Sequence, residues 1–96
     1  SSFPPHTHVE PEIYFYKFLP ENGYGYAEVG DTVYKVHHND ATCMAHGVTH
    51  SQATAPGYAE YYIWAIRLRD NDPMVTTVVP EHAWVAEKDA KYFPEI

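Results

Sequence analysis

Turn-forming residues divide this chain into short segments, and this division limits the architectures that it can adopt. The stretches between the turns are rich in Val, Thr and Tyr, which favour strands because branched and aromatic side chains pack well on a pleated surface. The pattern predicts an all-β protein with strands at 12–18, 24–29, 32–37, 40–45, 50–53, 58–67 and 75–79. The turn signals between them are Pro-Glu-Asn-Gly at 20–23, Gly30-Asp31, Asn39-Asp40, Pro56-Gly57 and Asp-Asn-Asp-Pro at 70–73. The short gaps at Gly30-Asp31 and Asn39-Asp40 are typical of hairpins.

The segment 58–67 is apolar on both of its faces. Tyr62 and Trp64 fall on one side, and Tyr61 and Ile63 fall on the other. A strand of this kind is expected in the middle of a sandwich or barrel, where both faces are covered. The more charged tail, residues 81–96, predicts one short helix at 85–91.

With 96 residues the chain has room for one domain and a small core. Domains of this size often need a metal, a disulfide or a partner chain for stability. Cys43 is the single cysteine, so no disulfide forms within the chain, and its strand position beside Met44 predicts a small buried apolar side chain. One cysteine among seven histidines indicates a reducing, cytoplasmic setting and metal chemistry.

The charge balance is acidic, with 13 Asp and Glu against 6 Lys and Arg. Nucleic acids and anionic membrane surfaces require a basic partner, so neither is expected to bind. The longest apolar run, residues 61–66, is far too short to cross a bilayer.

A histidine-rich motif near the start, His6-Thr7-His8 followed by Glu12, has the form H-x-H-x3-E. In a strand, residues two apart point to the same face, so both imidazoles can converge on one ion. A helix would place them on different faces, and the neighbouring prolines oppose a helix. Glu12 has the same parity, and a bend at Pro11 would bring its carboxylate toward the imidazoles.

A fourth ligand has to come from farther along the chain, and Gly47-Val48-Thr49-His50 supplies it. Gly47 can form the tight turn that directs His50 inward. Each motif alone is common on protein surfaces, but their occurrence together and in order in a β-rich chain predicts a site. Three imidazoles and one carboxylate suit one divalent transition metal, zinc or manganese in the first place, with nickel and iron as alternatives.

These motifs resemble the two metal motifs of the cupins, which are double-stranded β-helix or jelly-roll barrels. Further stretches resemble the 5-deoxy-glucuronate isomerase and 5-keto-4-deoxyuronate isomerase family, and its inositol-catabolic branch in particular, where the C-terminal cupin is the most similar part. The stretches are Phe3-Pro4-Pro5, Ile13-Tyr14-Phe15-Tyr16, Gly23-Tyr24-Gly25-Tyr26, Ala55-Pro56-Gly57-Tyr58, Tyr61-Tyr62-Ile63-Trp64 and Pro80-Glu81-His82-Ala83-Trp84.

The resemblance implies a metal-binding cupin barrel over residues 1–80 and a tail over 81–96. Family members are longer, with two cupins, and have strands ahead of the metal motif that this chain lacks. The barrel is therefore expected to be incomplete or to be completed by a partner chain, which implies a homodimer or a higher homo-oligomer.

The implied reaction interconverts aldose and ketose forms of a uronate-type sugar through a metal-stabilised enediolate. Glu60 is the candidate base and Tyr62 a candidate donor to the sugar, since both share strand parity with Trp64. Lys17, Lys35 and Arg67 are candidate partners for a substrate carboxylate, with a solvated surface position as the simpler interpretation of the two lysines. Two other functions fit the same ligands: a small metal-dependent cupin oxygenase, and a non-catalytic sugar-binding cupin with a structural metal.

Overall fold

The computed structural model describes residues 3–45, 47–68, 70–71 and 73–93, and these form two antiparallel sheets followed by a short 3-10 helix. The larger sheet has the strand order β4-β3-β6-β1-β8, and the smaller sheet has the order β5-β2-β7. The strands are β1 (His6–Thr7), β2 (Glu12–Leu19), β3 (Tyr24–Val29), β4 (Thr32–His37), β5 (Ala41–Met44), β6 (His50–Thr54), β7 (Ala59–Ile66) and β8 (Thr77–Val78). The all-β prediction is confirmed.

The core lies between the two sheets and is built on the inner face of β2. Alternate residues of β2, including Tyr14, Tyr16 and Phe18, are buried, because successive strand side chains point to opposite faces. Tyr16 is fully buried, and its hydroxyl donates a hydrogen bond of 2.6 Å to Gln52 Oε1 on the opposite sheet. Burial raises the pKa of Tyr16 to about 12, so the hydroxyl stays a donor. The core is thus partly aromatic, and a buried hydrogen bond joins its two sheets.

The two predicted hairpin turns have different outcomes. Gly30-Asp31 joins β3 to β4 as a two-residue hairpin, with Gly30 at a φ of 62°. Asn39-Asp40 also forms a turn, with Asn39 at a φ of 69°, but the prediction of a hairpin there is wrong. The chain passes at this turn from β4 in the larger sheet to β5 in the smaller one, where β5 pairs with β2. Backbone hydrogen bonds to Tyr16 hold the turn against β2 instead.

The expectation that the strand at 58–67 lies in the middle of the fold is wrong. β7 is an edge strand, paired with β2 alone among the described residues, and Tyr61 and Ile63 are exposed. Cys43 on β5 is also exposed, where a buried side chain was expected. Both errors have the same cause. An apolar side chain is buried only if another part of the chain covers it, and the strand's own sequence does not show whether one does.

The segment after β8 forms a 3-10 helix at Pro80–Ala86, earlier in the chain than the helix predicted at 85–91. Pro80 explains the start, because its fixed φ suits the first helical position and costs no hydrogen bond there. Residues 94–96 of the predicted tail lie outside the described residues, and the division at residue 80 stays a prediction. Among the described residues, no helix is long and apolar enough to cross a membrane.

Candidate metal centre

Four side chains that are distant in sequence converge where the two sheets meet. His6 on β1 and His50 on β6 are Cα partners in the larger sheet, and His8 follows β1 directly. Glu12 is the first residue of β2 in the smaller sheet. One possible ligand atom from each of the four residues lies within 4.8 Å of the other three. The structure therefore brings together the residues predicted as metal ligands.

The three imidazoles make the same kind of contact with the backbone. In each ring Nδ1 lies at hydrogen-bond distance from a main-chain carbonyl: Pro4 at 2.9 Å for His6, Glu10 at 2.9 Å for His8, and Val48 at 3.0 Å for His50. Such a contact holds the proton on Nδ1 and leaves the Nε2 lone pair free. Because Nδ1 is engaged in this way, Nε2 is the nitrogen with which each ring can bind an ion, and the Nε2 atoms of His8 and His50 lie 3.5 Å and 2.5 Å from Glu12 Oε1.

The centre of the cluster contains polar atoms that the protein itself does not satisfy. His50 is 1% exposed and Glu12 is 4% exposed. His50 Nε2 and Glu12 Oε1 lie 2.5 Å apart, yet neither makes a hydrogen bond of acceptable geometry. Buried polar atoms of this kind cost free energy unless they bind something, and a cation would satisfy both. Burial also lowers the pKa of His6, which favours the neutral imidazole that a metal needs.

The turn before His50 has the geometry that the glycine predicted. Gly47 has a φ of 71°, a left-handed conformation that other residues rarely adopt. The Val48 amide donates to the Ala45 carbonyl, and the Thr7 hydroxyl donates to the Gly47 carbonyl at 2.9 Å. The second of these bonds ties the turn to β1, so the two histidine-bearing segments are held together.

A cavity of about 370 Å³ opens beside the cluster. His6, His8 and Glu12 form one part of its lining, and aromatic side chains form much of the rest. These are Phe3, Tyr14, Tyr62 and Trp64. The cluster is thus buried on the His50 side and accessible from the cavity, an arrangement in which a small molecule could reach a bound ion.

The KduI/IolB family model matches residues 1–85, nearly the whole chain. The chain belongs to this family. A solved structure of an IolB-like protein from Salmonella typhimurium LT2 has the same fold, with a TM-score of 0.74 over 91% of this chain at 24% identity. The chain spans 38% of the length of that protein. No protein of curated function matches the chain.

Family membership confirms the resemblance drawn from the motifs, and the two-sheet architecture fits the expected cupin-like β fold. Glu60 and Tyr62 are the two catalytic candidates in this KduI/IolB member, and the structure places Tyr62 at the cavity beside the cluster. Its ring centroid lies 5.2 Å from that of Tyr14.

Glu60 points inward as predicted but lies at the other end of β7. It pairs with Phe18, six positions along β2 from Glu12, which corresponds to roughly 20 Å of strand. A base must lie within hydrogen-bond reach of the proton that it removes, so this placement does not suit the predicted role. Glu60 instead packs over Gly25, and burial raises the pKa of its carboxyl.

None of the three candidate carboxylate-binding cations lines the cavity. Lys17 lies on the outer side of the smaller sheet and donates to Asn39 Oδ1. Lys35 lies over the Tyr24 ring, and Arg67 lines a separate surface groove beside Pro11. The described residues therefore do not support a part for these cations in substrate binding, and the exposed positions of Lys17 and Lys35 agree with the simpler surface interpretation.

Several cavity residues were not predicted as site residues. Tyr14 could have been found, because it has the same strand parity as Glu12 and follows it by two positions. Trp64 is its partner across the strand pair β2–β7, a relationship that only the register reveals. Met74 and Thr76 also line the cavity, and no motif marked their segment.

Proposed function

We propose that this chain is the metal-binding part of a sugar isomerase that interconverts the aldose and ketose forms of a uronate-type sugar. Membership of the KduI/IolB family supports a sugar isomerase-type activity. The observation that carries the proposal is the convergence of three Nε2 atoms and one carboxylate beside an open, aromatic-lined cavity.

His6, His8, Glu12 and His50 would hold the ion, and their donor set suits zinc or manganese. A divalent ion bound there would act as a Lewis acid on the substrate carbonyl as a proton moves between neighbouring carbons. The shared Nδ1 contacts hold the three rings ready before the ion arrives, so little reorganisation is needed.

The tyrosines of the cavity have the proton-handling role in this proposal. Burial raises the pKa of Tyr14, so its hydroxyl remains protonated at neutral pH and can donate a hydrogen bond to the Glu12 carboxylate or to a sugar oxygen. Tyr62 lies in the same cavity, and we assign its hydroxyl the donation of a proton to the sugar oxygen on which negative charge develops. Trp64 and Phe3 offer apolar walls that restrict water and the orientation of the sugar ring.

The open cavity bears on the two alternative functions. A purely structural metal site normally has no space beside it for a small molecule. The cavity of about 370 Å³ therefore favours a ligand-accessible centre over a purely structural ion. An oxygenase would use the same ligands, and oxygen uptake with ferrous iron separates it from an isomerase.

The test is to load the purified protein with zinc or manganese and to incubate it with uronate sugars in deuterated water. An isomerase that transfers a proton through an exchangeable group incorporates deuterium at the carbon next to the carbonyl, which NMR detects. We expect Tyr62→Phe to lower kcat by about 100-fold or more while metal content stays at the wild-type level.

His37→Ala is the matched control, because His37 is exposed on β4 and remote from the cluster in the strand order. It should leave both metal content and turnover unchanged. Metal binding without isomerisation of any uronate offered would contradict the proposed activity, and a wild-type protein that binds no divalent metal would contradict the site itself.

A further inference from the structure

The smaller sheet has an outer face that is apolar and uncovered by any described part of the chain. We call this surface the outer face, and its exposed apolar members are Ile13, Phe15 and Leu19 on β2, Tyr61 and Ile63 on β7, and Cys43 on β5. Leu19 is 72% exposed, and Tyr61 and Ile63 are 63% and 56% exposed. An antiparallel sheet in contact with water normally alternates apolar inner with polar outer residues, and this sheet does not.

The larger sheet of the same chain provides the comparison. Its outer side carries Glu28, Lys35 and Ser51, with the Ser51 hydroxyl donating to Glu28 Oε1 at 3.0 Å. Tyr26 and Val33 are also exposed on this side, at 40% and 60%, so the outer side of the larger sheet mixes polar and apolar residues. The outer face of β5-β2-β7 differs because a single charged residue interrupts its apolar strand positions.

The outer face is also nearly free of charge in a protein whose net charge is −7. Its strand positions carry one charged residue, Lys17, whose ammonium donates to Asn39 and lies 5.4 Å from the Phe15 ring centroid. Two copies of an acidic chain repel each other at most points of contact, and such repulsion is weakest where acidic groups are missing. A second copy therefore meets little acidic repulsion at this surface.

We propose that two copies of this chain associate through their outer faces, packed sheet against sheet around a twofold axis. Such contacts are self-complementary, because the same patch serves both partners. Stacked sheets lie about 10 Å apart with interdigitated side chains. The five large apolar side chains alone expose on the order of 600 Å², and a standard-size interface buries about 800 Å² from each partner.

Packing face to face also accounts for the apolar surface better than pairing of edges. The edge of β7 is unpaired among the described strands and could add a second β7 as a strand. That arrangement would join two outer faces into one wider apolar surface and leave it exposed to water. Face-to-face packing removes the surface from water, which provides the driving force.

The first experiment measures the oligomeric state by sedimentation over protein concentrations from about 1 to about 500 μM, a range that covers moderate affinities. Wild-type protein should form a dimer. Ile63→Lys and Phe15→Glu should each weaken the dimer by about 100-fold or more, because each buries a charge at the centre of the contact. Val33→Lys is the matched control, since Val33 is 60% exposed on the larger sheet, and it should dimerise as the wild type does.

The second experiment uses Cys43, the single cysteine of the chain, as a reporter on the outer face. Its alkylation rate should fall about 10-fold or more between dilute and concentrated wild-type protein, because packing of the faces would shield the thiol. In Ile63→Lys the rate should stay high at all concentrations, with circular dichroism confirming that the variant is folded.

Three outcomes would overturn the proposal. The first is sedimentation of the wild-type protein as a monomer at every concentration, which is also the result if a different polypeptide segment covers this face. The second is a dimer that persists unchanged in both charged variants. The third is a dimer in which Cys43 stays fully reactive, as pairing through the edge of β7 would produce. None of these results depends on isomerase activity, so the proposed function is tested separately.

Discussion

His6 and His50 are Cα partners on adjacent antiparallel strands, and each has a ring nitrogen within 4.8 Å of a carboxylate oxygen that belongs to the other sheet. Glu12 is the first residue of β2 in the smaller sheet, so the cluster joins the two layers of the fold. An ion bound there would cross-link these layers in a domain whose core is small. The site is therefore expected to contribute to stability as well as to chemistry.

Metal removal should lower the melting temperature of the wild-type protein. At a free metal concentration of 100 times Kd, binding stabilises the folded state by about 2.7 kcal/mol, which corresponds to roughly 10 °C or more for a domain of this size. Differential scanning calorimetry with and without a chelator measures the shift. His50→Ala should lose this response and His37→Ala should keep it; an equal response in both variants would place the metal elsewhere.

Metal occupancy should depend on pH through the imidazoles. Burial lowers the pKa of His6 below its ordinary value of 6.5. This ring therefore stays neutral, and can bind a metal ion, down to a lower pH than an exposed histidine would. We expect bound metal to be retained at pH 7 and near pH 6.5, and to be released only at lower pH, where protons compete for the ring nitrogens. Equilibrium dialysis with elemental analysis from pH 5 to pH 8 follows the release, and occupancy that does not change over this range would contradict the assigned ligands.

Gly25→Ala should destabilise the fold. A methyl group at Gly25 would lie 2.5 Å from the Ala53 carbonyl oxygen and 2.5 Å from Glu60 Oε1, and the first of these is backbone that cannot turn away. Overpacking of this kind costs about 1–3 kcal/mol, which urea unfolding would measure. Gly57→Ala is a useful comparison, because a methyl group there meets nothing within 4 Å and the cost comes from the φ of 88° alone. If Gly25→Ala has the same free energy of unfolding as the wild type, the sheet must be able to open at this point to accommodate the methyl group.

Glu60→Gln should change stability in a pH-dependent way. Burial raises the pKa of Glu60 in the folded chain above its ordinary value of 4.5, so the unfolded chain gives up this proton first. The stability associated with the protonated form is therefore present below pH 4.5 and is lost as the pH rises through the raised pKa. Relative to wild type, the melting temperature of Glu60→Gln should be similar at pH 4 and higher at pH 7, with unchanged metal content. A difference that does not vary with pH would show that the carboxyl is well solvated.

The sequence alone was sufficient to predict which four residues come together in the candidate site. The spacing of His6, His8 and Glu12 predicts one face of an extended segment, and Gly47 predicts the turn that directs His50. These are local relationships, because strand alternation and a left-handed turn depend on a few neighbouring residues. The strands and the Gly30-Asp31 hairpin were predictable for the same reason.

The tertiary structure alone decided which surfaces are covered and which inward residues meet the cluster. β7 has an apolar pattern on both faces, yet it is an edge strand, because sheet order is set by pairing between distant segments and is not written in the strand itself. Glu60 and Tyr62 have the same parity, but the register of β7 on β2 places one over Gly25 and the other at the cavity. Parity fixes the side of a sheet on which a side chain lies, and position along the strand follows only from the long-range hydrogen-bonded register.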